Sequence, residues 1–134
     1  MLSEPNWLPL DEIIEINREA VLATGEPFLV RDIGLVESAL HKPIHHWHYG
    51  QTDLAELAVQ LFLGIAQNHG FEQGNKRTGW TAALIFLEIN GYELQAKLDS
   101  DRLGELLTRI VDKKISAPPL VRLVRAYVRP LDFE

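Results

Sequence analysis

Ten consecutive residues, His69-Gly70-Phe71-Glu72-Gln73-Gly74-Asn75-Lys76-Arg77-Thr78, combine a proton acceptor, a tight loop and a cationic helix start. An imidazole titrates near neutrality, so His69 can take the proton of an attacking hydroxyl. The first turn of a helix presents unpaired backbone N–H groups and the positive end of its dipole, which favours bound anions. Gly74 is expected to let a phosphate approach the backbone, and Asn75, Lys76 and Arg77 to add side-chain donors. Two cations at a helix start oppose the dipole, and a bound anion would reverse that local penalty. Phe71 reads as an apolar anchor for the loop. Taken singly, such a histidine is usually a loop residue and such a triplet a solvated helix end. In this order, ahead of an apolar helix, they point to phosphoryl or nucleotidyl transfer to a hydroxyl.

Punctuation by proline and glycine divides the rest of the chain into helix-length blocks that must hold this segment. Pro9, Asp11 and Glu12 suit a first turn, with Ile13, Ile16, Ala20 and Val21 at helical spacing and Gly25 as terminator. Asp32 is expected to cap a short helix through Leu35, Val36 and Leu40 that stops before Pro43. Leu54, Leu57, Ala58, Leu61, Phe62 and Ile65 form a helical stripe from Asp53 to Asn68. A helix from Asn75 to Asn90, apolar on most sides between Trp80 and Leu87, is expected to be the buried central one. Two more helices are predicted at about 101–113 and 116–128. Period-two alternation is nearly absent, and only His45–Gln51 and Tyr92–Ala96 offer short strands. The fold class is all-α: one compact helical bundle over 1–134, with room for a short flap hairpin.

Composition narrows the function. The 134 residues carry 46% hydrophobic residues and a formal net charge of -6. That suits one globular domain and argues against broad nucleic-acid binding, which needs many cations to neutralise phosphates. Without cysteine there are no disulfides and no thiolate metal sites. The N-terminal residues lack a signal-peptide pattern, and the apolar run around Trp80 is too short for a bilayer. The expectation is a soluble cytoplasmic protein that binds neither membrane nor nucleic acid.

The run H-G-F-E-Q-G-N-K-R-T resembles the Fic/Doc (Fido) motif, H-x-F-x-[D/E]-[G/A]-N-[G/K]-R. Arg31-Asp32 to Pro43 upstream, and Phe86-Leu87 to Asn90-Gly91-Tyr92 downstream, are similar to the compact death-on-curing (Doc) branch. The resemblance implies that His69 is the general base and that Gly74, Asn75, Lys76 and Arg77 hold ATP phosphates. Fic adenylyltransferases usually carry glycine at the position of Lys76 and a second arginine where this chain has Trp80. Lys76 without that arginine is similar to Doc. The implied activity is transfer of the terminal phosphate of ATP to a Ser/Thr hydroxyl of a protein, a translation elongation factor, by the toxin of a toxin–antitoxin pair. AMP transfer is the first alternative, and a weakly active binding module the second. The family's Mg²⁺ ligand is acidic, whereas this chain has Gln73, a poorer ligand for a hard cation. Reduced but real transfer is expected.

The resemblance also places His45, His46, Trp47, His48 and Tyr49 near the flap that aligns target peptide, making them candidate target contacts. His41, His45, His46 and His48 could ligate zinc or nickel, but their spacing matches no metal template. Thr52-x-x-x-Glu56 comes nearest to the family's inhibitory helix motif, yet Leu57 follows where Gly or Asn belongs. An antitoxin protein that folds an extended tail onto the chain is the implied partner.

Overall fold

A computed structural model describes residues 3–95, 100–113 and 116–131. In order, the elements are α1 (Leu10–Ala23), α2 (Ile33–His48), α3 (Leu54–Asn68), α4 (Asn75–Ile89), β1 (Tyr92–Leu94), α5 (Ser100–Val111), α6 (Pro118–Tyr127) and β2 (Val128–Pro130). The all-α expectation holds, with one two-stranded sheet beside the helices. Side chains at two helix starts do what their types favour. Asp32 accepts from the Leu35 N–H and Asp53 from the Ala55 N–H, each satisfying an orphan donor of the first turn.

The central helix is α3, not α4 as the sequence suggested. Ala55, Leu57, Ala58, Val59 and the whole run from Leu61 to Ala66 are buried, so α3 meets neighbours on nearly every side. The buried residues of α4 (Thr78, Gly79, Ala82, Ala83, Phe86 and Leu87) recur at three- and four-residue spacing and mark one face. Two glycines allow close helix contact. A Cβ on Gly79 would lie 2.8 Å from the Phe62 carbonyl oxygen, and one on Gly64 would lie 3.1 Å from that of Ala39.

The second contact explains a further departure. The helix expected to end before Pro43 runs through it to His48. Proline lacks the N–H that would bond the carbonyl four residues back, that of Ala39. That carbonyl faces Gly64 of α3, where the absence of a side chain admits it. Tertiary packing therefore holds a helix that the local sequence would break.

Strand pairing is also displaced from one of its two expected places. Tyr92, Glu93 and Leu94 pair antiparallel with Pro130, Arg129 and Val128, and Arg129 Nε donates to Glu93 Oε2 across the pair at 2.8 Å. The tail of that expected strand, Ala96, lies outside the described residues. Residues 45–48 instead complete α2, and Tyr49 and Gly50 turn away from it. No flap hairpin forms there.

Candidate functional site

His69 caps the C-terminus of α3 in the left-handed conformation, φ 54° and ψ 44°, and is exposed. A non-glycine residue pays about 1–2 kcal/mol in that region, so the turn is held by its surroundings. Those surroundings are visible in the backbone. The Gly70 carbonyl accepts from the N–H groups of Arg31 (2.9 Å) and Asp32 (3.0 Å), and the Glu72 N–H donates to the Leu29 carbonyl (3.0 Å). Val30 and Phe71 thereby form an antiparallel bridge. Phe71 is buried to 1% exposure and belongs to the hydrophobic core.

Asn75 fastens the loop from the other end. Its Oδ1 accepts from the Phe71 N–H at 3.1 Å and its Nδ2 donates to the Phe71 carbonyl at 2.8 Å. The carboxamide thus pairs with one residue's backbone, closing the loop on itself. Gly74 precedes α4 at φ 76° and no side chain caps that helix. The first-turn N–H groups of α4 are the orphan donors that attract an anion.

Gly74 also has a packing role that the sequence did not suggest. A Cβ there would lie 3.0 Å from Val21 Cγ1 and 3.3 Å from Asn17 Nδ2. The missing side chain makes room for α1, and the positive φ favours glycine as well.

The two cations diverge. Lys76 Nζ donates to Thr108 Oγ1 of α5 at 2.7 Å. Arg77 turns to the end of α1, where Nη1 donates to the Ala20 carbonyl (3.2 Å) and Thr24 Oγ1 (3.0 Å) and Nη2 pairs with Glu26. Carbonyls in a last helical turn carry the dipole's negative end, so the guanidinium is well placed there. The Glu26 carboxyl is held below its ordinary value, first by the Thr24 hydroxyl and then by Arg77. Trp80 is half-buried and packs edge-on against Phe62, ring centroids 5.7 Å apart. Its role in the fold is apolar contact between α3 and α4.

Gln73 is exposed, with its carbonyl bonded by Asn17 Nδ2 at 2.8 Å. Among the described residues no three His, Cys, Asp or Glu side chains form a metal-sized group. Glu72, the adjacent carboxylate, is exposed too. The donor set at the loop is therefore one neutral amide and one neighbouring carboxylate, which falls short of a protein cage for a hard divalent cation.

Of the five residues His45, His46, Trp47, His48 and Tyr49, His45 lines a groove with Gly34 and Asn68, the residue before His69, and the others continue to the end of α2 and the turn after it. Asn68 Nδ2 donates to the Leu35 carbonyl at 3.1 Å, which sets the start of α2 beside the end of α3. His48 lies thirteen residues further, roughly 20 Å along the helix at 1.5 Å per residue. Trp47 lines a cavity of about 640 Å³ with Asp53, Leu54, Asn90 and Tyr92, at the far end of the bundle. The stretch beside the loop is Leu29–Asp32; its end, Arg31-Asp32, lies in the upstream segment that carries the Doc resemblance, and Leu29 and Val30 carry no signal of their own. Asn17 and Glu26 were missed as well. Asn17 left a signal, a polar residue in the apolar stripe of α1; Glu26 left none.

Comparison with known proteins gives this arrangement relatives. The Fic/DOC family model matches residues 7–87. The chain is 37% identical over 106 residues to "Toxin Doc" of Mycolicibacterium smegmatis, covering 73% of this chain and 81% of that protein. It is 32% identical over 74 residues to "Protein kinase doc" of Escherichia phage P1, covering 55% of this chain and 56% of that one. Among the described residues no helix is long and apolar enough to cross a membrane.

Proposed function

The chain belongs to the Fic/DOC family, in its Doc-like branch, and from that premise we propose that it is a toxin that phosphorylates a protein hydroxyl at the expense of ATP. The observation that carries this reading is one loop with two chemically distinct ends. An exposed imidazole, His69, stands at its start and the uncapped N-terminus of α4 at its finish. Phosphate oxygens of ATP sit on the first-turn N–H groups of α4, with Lys76 and Arg77 supplying charge. The target hydroxyl gives its proton to His69 as its oxygen bonds to the γ-phosphorus. The bond from that phosphorus to the β,γ-bridging oxygen breaks, and ADP leaves. Holding both reactants on one rigid loop lowers the entropic part of the barrier.

Mg²⁺ would neutralise charge on the phosphates when bound. In this reading ATP itself would carry the cation, and the Gln73 amide would be the residue of the motif nearest in role to a protein ligand. The target is a Ser/Thr hydroxyl of a translation elongation factor. The partner that restrains the toxin is an antitoxin protein, as the name of the mycobacterial relative suggests. The cytoplasm, where ATP and translation factors are found, is the site of action.

Incubation with the elongation factor, Mg²⁺ and ATP labelled at either the γ- or the α-phosphate tests the reading. Label from the γ position on the factor, lost in His69→Ala, is expected. Label from the α position would assign AMP transfer instead. Normal partner binding without label from either position would leave a binding module.

A further inference from the structure

Asn17 stands in the middle of the apolar face of α1, beside Ile13, Ile16 and Val21, and is 1% exposed. Packing alone favours leucine or isoleucine at such a place. Its Nδ2 donates to the Gln73 carbonyl at 2.8 Å and to Thr78 Oγ1 at 3.0 Å, while its Oδ1 is buried without a partner. A buried acceptor left unpaired is unfavourable for stability, and such groups in native proteins call for a reason. The two bonds straddle Gly74, one on the residue before it and one on the first turn of α4 after it. A Cβ at Gly74 would come within 3.3 Å of the same amide nitrogen. The carboxamide is thus pressed against the junction from which the anion-binding N–H groups project.

We infer that Asn17 is a positioning residue that sets the anion-binding turn of α4 by strapping Gln73 and Thr78 to α1. The loop has two halves with separate anchors to the body, joined to each other by the Asn75 amide on Phe71. Gly70 to Glu72 is fixed to Leu29–Asp32, which locates His69. Gln73 to Thr78 is fixed to α1 by Asn17 at the junction itself and by Arg77 on Ala20 at the end of α1. Removing Asn17 therefore disturbs the nucleotide end and spares the histidine end. The inference rests on the proposed phosphate transfer for its kinetic readout, and on the loop alone for its structural one.

The test is Asn17→Leu, close in size but lacking both donors and the orphan acceptor. The expected result is faster amide exchange across Gln73–Thr78 in the nucleotide-free protein. The KM for ATP should rise about tenfold with kcat changed less than about threefold, the pattern of weakened nucleotide binding. A lower midpoint with unchanged exchange and unchanged KM would reduce Asn17 to packing and overturn the inference. Should Asn17→Leu fail to fold, Asn17→Asp keeps the outline while replacing the two N–H donors by a carboxylate. Faster exchange over the same residues supports positioning and unchanged exchange overturns it. If the wild type transfers no label while Asn17→Leu still loosens the loop, the transfer reading fails and the positioning role stands.

Discussion

The guanidinium of Arg77, in the first turn of α4, is ion-paired with the carboxylate of Glu26, and the Thr24 hydroxyl lies between them as acceptor from one and donor to the other. In the proposed reaction, phosphates arriving at α4 would meet an arginine whose charge is already partly answered. Glu26→Gln removes the competing negative charge and keeps an oxygen for the hydrogen bond. We expect ATP to bind about three- to tenfold more tightly to the variant, as for loss of one partly screened like charge. Calorimetric titration with ATP at fixed ionic strength measures it, and an unchanged or weaker affinity would show that Glu26 holds Arg77 ready for phosphate.

The same pair sets a pH dependence. The Glu26 carboxyl titrates below its ordinary value because Thr24 bonds it and Arg77 faces it. A depressed folded-state value contributes stability above the unfolded value and loses it as pH falls through the folded one. The contribution is small, since both side chains are partly exposed. The stability difference between wild type and Glu26→Gln should be flat at neutral pH and shrink only in acid. Denaturant midpoints across that range check the direction.

His69→Gly separates strain from chemistry. Glycine adopts φ 54° freely, so the variant should gain up to about 1 kcal/mol of stability from the relieved backbone. Transfer should fall by about 100-fold or more through loss of the proton acceptor. A chemical denaturation curve beside a single-turnover assay reads both signs at once, and a variant that is both less stable and still active contradicts the assignment.

Gln73→Glu returns a carboxylate to the position that the family usually gives one. The expected outcome is a lower Mg²⁺ requirement and faster transfer, by about tenfold for one added charged ligand at a hard cation. Rates measured across a Mg²⁺ series decide it. Identical curves for the two proteins would show that the metal draws nothing from this side chain.

Gly79→Ala tests the packing that carries the loop. The added methyl would sit 2.8 Å from the Phe62 carbonyl and 3.2 Å from its ring. Overpacking of this kind costs about 1–3 kcal/mol. Thermal unfolding should show the loss, whereas the exposed Gly104, which has open space about its Cα, should tolerate alanine.

What could be read from the sequence is what depends on neighbours in the chain. Asp32 caps its helix as expected because a cap bonds only three residues away, whereas the Asn75 side chain, expected to serve a phosphate, bonds the Phe71 backbone four residues back. Contacts between distant positions were beyond it. Asn17 meets Gln73 across 56 residues and Glu26 meets Arg77 across 51, and no local rule relates either pair. Pro43 misled for the same reason. Its effect on the helix is local, and the glycine that accommodates it lies in α3. The family resemblance set His45 to Tyr49 near a flap beside the active site, and a continuous α2 carries His46 to His48 on toward the other end of the bundle.

The seat of the Ala39 carbonyl against Gly64 acts as a pin through α2 and α3. Between that pin and Asp32 the chain is a ruler of fixed length, because residues 29–32 must also meet the loop after His69. One residue inserted there would slide the pairing segment by about 1.5 Å and turn it by about 100°. Insertions and deletions should therefore be barred between Asp32 and Ala39 and accepted at the Tyr49–Gly50 turn, so a library of single-residue insertions would trace the ruler's two ends.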